Sequence, residues 1–137
     1  MDITRYKTKI SDAIDEIKEH NIKVSVFVDP LPENVDLALE VGSDMIEIHT
    51  GIFANTVDFT QKVIELEKIR QISSLAKELG IGVNAGHGLN YQNIVALANI
   101  DDIEEVSIGH AIIARAVFFG LETAVKEMIE IIRRIRI

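Results

Sequence analysis

Two short segments of the sequence combine histidine with glutamate or glycine in a way that suits acid–base chemistry. In EIHTG, Glu47 and His49 are two residues apart, so on a strand their side chains point to the same face. In NAGHGLN, His87 stands between Gly86 and Gly88, where the backbone can come close to a ligand. Imidazole changes its charge near neutral pH, so the pattern predicts a proton-transfer role for His87.

A third segment, SIGHAIIARA, has the pattern of an anion site. Gly109 and His110 stand where an apolar strand gives way to a helix, and the unpaired N–H groups of a helix N-terminus favour a negative charge. Together with His49 and His87, His110 places three of the four histidines at the ends of predicted strands. His20 instead falls at a predicted helix C-terminus. The three segments therefore predict one anion-binding pocket.

Each candidate also has a purely structural interpretation. His49 fits a hydrogen-bonded structural histidine as well as a functional one, and residues 86–88 could form a tight turn that happens to contain a histidine. Glu47 lies in an otherwise apolar strand, where a carboxylate is costly to bury unless it is paired or solvated. Residues 109–111 could be a simple strand–helix junction. At the level of sequence both interpretations stay open.

A metal centre is the strongest competing use of these side chains. Three histidines and a glutamate are a plausible ligand set for zinc or non-haem iron. The sequence has no close His-x-His or His-x3-His spacing of the kind that fixes two ligands rigidly. We therefore predict that the site holds no metal.

The elements that must position these residues alternate between helix and strand. Apolar residues recur at helical spacing from Ile10 to Ile17, and a β-branched run then leads to Asp29 and Pro30. We predict strands over 22–28, 45–49, 81–84 and 104–108. Helices are predicted up to 19–20, over 32–42, 59–80, 91–98 and 111–119, and from 122 onward.

Successive βα units predict an α/β fold with a parallel sheet, in one domain over residues 1–137. The units alone fit an open doubly wound sheet or an arc of a (β/α)8 TIM barrel. A short helix after the last strand, opened by Gly109 and His110 and broken at Gly120, favours the barrel, where such a helix commonly binds phosphate. Since a complete barrel needs roughly 250 residues, the chain would supply about half of one.

Composition excludes several function classes. The chain is 47% hydrophobic and 26% charged, which supports a folded core, and its net charge of −8 argues against nucleic-acid or anionic-membrane binding. Without cysteine it has no disulfide framework and no thiolate site. Its apolar runs are far shorter than the roughly 20 residues of a membrane span, and the N-terminal stretch MDITRYKTKI lacks the apolar region of a signal peptide. These features predict a cytoplasmic protein.

Four strings carry a family resemblance. VSVFVDP, IEIHTG, VNAGHGLNYQN and SIGHAIIARAVFFGL, in this order and at these separations, resemble the second half of the pyridoxine 5′-phosphate synthase (PdxJ) family of vitamin B6 biosynthesis. The resemblance implies a (β/α)8 barrel that condenses 1-deoxy-D-xylulose 5-phosphate with 3-amino-2-oxopropyl phosphate. Inorganic phosphate and water are released as the pyridine ring closes. The resemblance also implies that no metal or organic cofactor is required.

The resemblance implies a role for each candidate residue. His87 matches the proton donor of the family, and Glu47 matches a glutamate that stabilises a transition state. A carboxylate suits that task because the ring closure passes through cationic, imine-like species. Gly88 matches a backbone contact to the aminoketone phosphate, and Gly109 and His110 match the residues that hold its phosphate.

The sequence also departs from the family pattern. The Asn-x-Asp-His motif and the basic histidine and glutamate of the family's early strands are absent, and GIFAN replaces the usual Gly-Cys-Tyr-Ala at 51–55. Two function classes therefore stay open. The chain is part of a pyridoxine 5′-phosphate synthase, or it is a catalytically inactive half-barrel binding or assembly module with a phosphate pocket.

Half of a barrel has a further consequence for association. Four strands taken from a closed barrel leave two open edges, near 24–28 and near 106–108, and we expect the inward face of the sheet to expose apolar surface. We therefore expect a homo-oligomer, or pairing with a missing N-terminal half. The small-molecule partners implied by the resemblance are the two phosphorylated substrates.

Overall fold

Four parallel strands form a single sheet in the computed structural model, which describes residues 3–135. Their order in the sheet is the order of the chain: β1 (Ser25–Val28), β2 (Met45–His49), β3 (Gly82–Gly86) and β4 (Glu105–Ser107). The α/β class and the parallel sheet are thus confirmed. Residues 1, 2, 136 and 137 of the predicted 1–137 domain lie outside the described residues.

Helices connect the strands. In chain order they are α1 (Ile3–Glu19), α2 (Pro32–Glu40), α3 (Gly51–Asn55), α4 (Phe59–Glu78), a 3-10 helix (Ile94–Asn99), α5 (His110–Phe119) and α6 (Leu121–Ile135). A short helix, α5, does follow the last strand, as predicted. Within residues 3–135, none of the helices combines the length and the apolar character that crossing a bilayer requires.

One face of the sheet builds the hydrophobic core. Strand residues alternate between the two faces, and every second residue of β1 and β2 is buried. These side chains join apolar residues of α2, α4 and α6 in one cluster. The strand members of the cluster are Val26, Val28, Ile46, Ile48, Val83 and Ala85.

Within residues 3–135 the opposite face of the sheet is mostly polar, which corrects the expectation of an apolar inward face. Its side chains include Ser25, Glu47, His49, Glu105 and Ser107, with Phe27 and Met45 as the apolar members. Among the exposed apolar side chains elsewhere, Val117 and Phe118 of α5 are 77% and 82% exposed. Association of the sheet through apolar burial therefore has little support on this face.

The segment predicted as a helix over 91–98 begins as a turn and continues as the 3-10 helix. The side chain of Asn90 accepts hydrogen bonds from the backbone N–H groups of Gln92 and Asn93 at 2.9 and 3.0 Å. Asn93 in return accepts the backbone N–H of Asn90 at 2.7 Å. These bonds have the reciprocal pattern of a helix N-cap, and the N–H of Ile94 donates to the carbonyl of Asn90 at 3.1 Å. The following bond, from Ala96 to Asn93 at 3.1 Å, spans only three residues, so the segment continues as a 3-10 helix.

The end of the sheet where β2 begins is held by a partly exposed polar cluster. Asp44 accepts the backbone N–H of Val24 at 2.9 Å and pairs with Lys18 of α1 at 2.9 Å. The bond to Lys18 and then the bond to Val24 hold the pKa of the Asp44 carboxyl below its usual 3.8. This cluster lies at the end of the sheet opposite His49, so it contributes to stability and not to the candidate site.

Candidate active site

The register of the sheet brings the polar candidates to one edge. Glu47 pairs with Asn84 and His49 pairs with Gly86, so His87 follows β3 directly beside the last residue of β2. The imidazole rings of His49 and His87 lie 4.8 Å apart between centroids, with their planes at 67°. The two histidines, both predicted to lie at strand ends, therefore lie side by side at the ends of β2 and β3.

Glu47 reaches across β3 because Gly86 has no side chain. A Cβ atom at Gly86 would lie 2.1 Å from Oε1 of Glu47 and 3.0 Å from Cβ of Ser107. Through this gap, Oε2 of Glu47 accepts a hydrogen bond from the Ser107 hydroxyl on β4 at 3.1 Å. The glycine was expected to let the backbone approach a ligand, and in the structure its free space is filled by the carboxylate.

His87 adopts a backbone conformation that non-glycine residues rarely take. Its φ is +76°, in the left-handed region, and such a residue costs of order 1–3 kcal/mol unless its surroundings hold it. Thr50, which is fully buried, shares its hydroxyl proton between the carbonyl oxygens of Gly86 and His87, at 2.8 and 2.7 Å. The backbone N–H of Thr50 also donates to the Gly86 carbonyl at 2.8 Å. Thr50 thus fixes the loop that presents His87.

The loop after β3 also packs closely against α3. Gly88 has a φ of +78°, and a Cβ atom there would lie 2.7 Å from Cβ of Ala54 in α3. The carbonyl of Gly88 accepts a hydrogen bond from the Asn93 side chain at 3.0 Å. The backbone of Gly88 is therefore held in place on one side, and a bulkier residue could not take this position.

His49 has a carboxylate partner at the end of the neighbouring strand. Its Nδ1 lies 2.9 Å from Oδ1 of Asp29, which directly follows β1. The ring of Phe27 lies 5.1 Å from His49 and 6.3 Å from His87. His49 therefore makes a structural hydrogen bond, and its ring also contacts His87, the predicted proton donor.

The start of α5 places the predicted anion site at the end of β4. His110 is the first residue of the helix and is exposed, and the Cβ position of Gly109 has no atom within 4 Å. Arg115 fixes the orientation of α5, since it forms an ion pair with Glu127 of α6 and stacks over Tyr91 at 5.0 Å. Among the described residues no hydrogen bond or ion pair links His110 to Glu47 or His87.

A buried amide completes the inner part of the site. Asn84 is 8% exposed, stands beside Glu47 in the sheet register, and its Oδ1 has no hydrogen-bond partner within the described chain. Buried polar atoms are nearly always paired, so the unpaired Oδ1 is an unusual feature of this position. Within residues 3–135, no group of three or more His, Cys, Asp or Glu side chains is arranged to hold a metal ion.

Three residues of the site were not predicted from the sequence: Asp29, Thr50 and Ser107. Each lies at the same edge of the parallel sheet as the selected residues. Asp29 and Thr50 directly follow predicted strands, so the rule that strand ends converge could have found them. Ser107 carries no such signal, because its contact with Glu47 depends on the gap at Gly86.

Comparison with known proteins gives a consistent result. Residues 1–134 match the family model described as pyridoxal phosphate biosynthesis protein PdxJ. A pyridoxine 5′-phosphate synthase of Chlorobium phaeobacteroides is 46% identical over 132 residues, which cover 96% of this chain and 56% of that protein. The enzymes of the same name from Geobacter metallireducens and a Sulfurihydrogenibium species are each 48% identical, over 90% and 99% of this chain.

Coverage of the relatives is partial. The alignments span 56%, 52% and 56% of these three proteins, so the chain spans about half the length of the curated relatives it matches. The match to the family model nevertheless extends over nearly the whole chain. The segments that carried the resemblance form the cluster of Glu47, His49 and His87 at the strand ends. Since the family model matches residues 1–134, the chain belongs to the PdxJ family.

Proposed function

We propose that this chain supplies the proton-donating and phosphate-binding half of a pyridoxine 5′-phosphate synthase. The reaction is a transferase-type, ring-closing condensation of 1-deoxy-D-xylulose 5-phosphate with 3-amino-2-oxopropyl phosphate, and no metal or organic cofactor takes part. The observation that carries the proposal is that His87 follows Gly86 directly while the carboxylate of Glu47 fills the side-chain space at Gly86, in a chain of the PdxJ family.

The surroundings of His87 and Glu47 support their proposed roles. The imidazole of His87 has no hydrogen bond to the residues of the described range, so its ring nitrogens are available to a substrate oxygen. Glu47 uses only Oε2 for Ser107, which leaves Oε1 free to face a developing positive charge. A preorganised carboxylate stabilises a cationic transition state without reorganising during the reaction.

The phosphate of the aminoketone substrate is assigned to the start of α5 and to the backbone of Gly88. Gly109 leaves open space in front of the first N–H groups of α5, a helix of 10 residues. His110 adds a side chain that donates a hydrogen bond from either ring nitrogen. Because the chain is acidic overall, with a net charge of −8, an anion has to be held by such local donors.

A complete site also needs a second half. We propose that the sheet is one half of a (β/α)8 barrel whose outer strands, β1 and β4, each have one neighbour among the described strands. The half barrel pairs either with a second copy of itself or with an N-terminal half that supplies the remaining bases. The exposed apolar side chains of α5 are the surface best suited to that contact. A cytoplasmic location agrees with the composition.

The turnover test combines the purified chain with the N-terminal half of a full-length relative and both phosphorylated substrates. We expect pyridoxine 5′-phosphate to form, and His87→Asn to lower the rate by about 10²- to 10⁴-fold. His20→Asn, a substitution of the exposed histidine outside the site, is the control and leaves the rate unchanged. A loss below tenfold for His87→Asn contradicts its role as proton donor.

The same assay separates the enzyme from the binding module. Phosphate binding without turnover, in the presence of the N-terminal half, identifies an inactive half-barrel module. Sedimentation equilibrium of the chain alone tests the pairing. A folded 15.3 kDa monomer with a cooperative melt contradicts pairing with a second copy. If this monomer also fails to bind the N-terminal half, a self-sufficient open sheet is favoured over the half barrel.

A further inference from the structure

Side chains at the ends of three successive strands form a line, and the proposed reaction gives no role to two of them, Asp29 and His49. Asp29 follows β1, His49 ends β2 and His87 follows β3. Oδ1 of Asp29 lies 2.9 Å from Nδ1 of His49, and the ring of His49 lies 4.8 Å from the ring of His87. The line therefore runs from an exposed carboxylate to the proposed proton donor through a second imidazole.

The carboxylate determines which nitrogen of His49 carries the proton. An ionised carboxylate only accepts hydrogen bonds, so Nδ1 of His49 must donate to Asp29. In the neutral ring this leaves Nε2 unprotonated and able to accept a proton. Among the described residues, Nε2 of His49 has no hydrogen-bond partner.

The two imidazoles meet over Gly51, which has no side chain to displace them. A Cβ atom at this residue would lie 2.6 Å from Nε2 of His49 and 2.9 Å from Cδ2 of His87. Both rings line an open pocket of about 410 Å³, together with residues of α3 and Thr56. Nε2 of His49 thus lies close to the ring of His87, and both rings border the pocket from which solvent reaches them.

We propose that Asp29 and His49 form a proton-return pair for His87, an inference that rests on the proposed donor role of His87. After His87 has given a proton to a leaving oxygen, its neutral ring must regain one. Nε2 of His49 takes a proton from solvent, Asp29 stabilises the resulting imidazolium, and the proton passes to His87, which leaves His49 neutral again. Both are positioning residues, since they act through His87.

Three charged or titratable groups face His49 from the elements packed around it. From β1 it meets Asp29, from the loop after β3 it meets His87, and two residues earlier on its own strand and face stands Glu47. Helix α3, which packs beside it, contributes no titratable side chain. Phe27, which also packs against His49, contributes no charge.

The first test uses nitrogen-detected NMR of the histidine rings in the 137-residue chain, at a pH where the rings are neutral. We expect His49 to be the Nδ1–H tautomer, and Asp29→Asn to abolish that preference because the amide no longer acts as an obligatory acceptor. His20→Asn is the matched control and leaves the His49 signals unchanged. A wild-type His49 protonated at Nε2 overturns the inference, whatever the turnover assay shows.

The second test measures proton return directly. We expect the ring N–H of His87 to exchange with solvent about tenfold more slowly in His49→Asn and in Asp29→Asn, as read from exchange broadening at low temperature. His49→Asn keeps an N–H donor near Asp29 but has no nitrogen in place of Nε2. Equal exchange rates in wild type and His49→Asn overturn the inference.

The third test uses turnover with the N-terminal half of a relative. We expect either substitution to lower kcat by about 10- to 100-fold with KM unchanged, and the double variant to lose no more than each single one, because the two residues act as a unit. Additive losses, or a change confined to KM, overturn the pair. If His87→Asn has no effect on turnover, the proposed function fails while the tautomer result still stands.

Discussion

Replacing Thr50 with valine tests how the loop after β3 is held. Valine matches threonine in size, and Thr50 is fully buried, so the change removes the hydroxyl with little change of packing. In the valine variant the carbonyl of Gly86 still accepts a hydrogen bond from the backbone N–H of residue 50, which lies at 2.8 Å in the wild type. The carbonyl of His87 loses the hydroxyl at 2.7 Å.

The size of the effect follows from that single loss. A net hydrogen bond is worth about 0.5–1.5 kcal/mol, and a buried acceptor left without a donor costs up to about 3 kcal/mol. This loss is comparable to the roughly 1–3 kcal/mol needed to keep a non-glycine residue in the left-handed region. We therefore expect Thr50→Val to lose about 1–2 kcal/mol of unfolding free energy and His87 to leave its φ of +76°.

Urea denaturation measures the first effect, and the backbone coupling constant and Cα chemical shift of His87 measure the second. Thr50→Ser is the matched control. It keeps the hydroxyl but deletes a buried methyl group, which costs about 1 kcal/mol. Both variants should lose similar stability, while only Thr50→Val changes the backbone of His87. An unchanged His87 backbone in Thr50→Val refutes the reasoning.

Three further substitutions test other parts of the molecule. Gly86→Ala places a Cβ atom 2.1 Å from Oε1 of Glu47, so we expect a loss of about 1–3 kcal/mol in urea denaturation and reduced turnover. Full stability would contradict the described gap. Gly109→Val meets no atom within 4 Å, so its melting temperature should be unchanged while KM for the aminoketone phosphate rises; an unchanged KM places the phosphate elsewhere. The pKa of Asp44 is lowered by Lys18 in the folded state, so its contribution to stability is present above 3.8 and is lost as the pH falls through its folded value. Wild type should therefore exceed Asp44→Asn in stability at pH 7, and the difference should shrink on acidification; a constant difference would contradict this.

The order of the elements and the edge of the sheet that carries the site could be predicted from the sequence. Alternating helical and β-branched periodicity located all four strands, and Gly42 and Gly80, at the ends of α2 and α4, have the expected left-handed φ values of +78° and +79°. Helix α3 was missed because five residues provide too short a pattern, and Thr50 makes no side-chain cap bond to it.

The contacts within the site depend on three-dimensional detail that periodicity does not encode. The bond between Glu47 and Ser107 depends on a gap in the strand that separates them. The partner of His49 is 20 residues away in sequence, and the pair exists only because β1 and β2 are in register. Sequence patterns place residues at a strand end, whereas the rotamers and register decide which of them meet.

The agreement between strand order in the sheet and strand order in the chain bears on how the molecule acquires its structure. Each parallel pairing joins strands that are consecutive in sequence, and no strand has to insert between two that are already paired. Loop-closure entropy is therefore overcome one βα unit at a time, which favours faster folding than a topology with distant pairings. The sheet can grow at one edge as the ribosome releases each unit, and the residues at the strand ends come together in the same sequence.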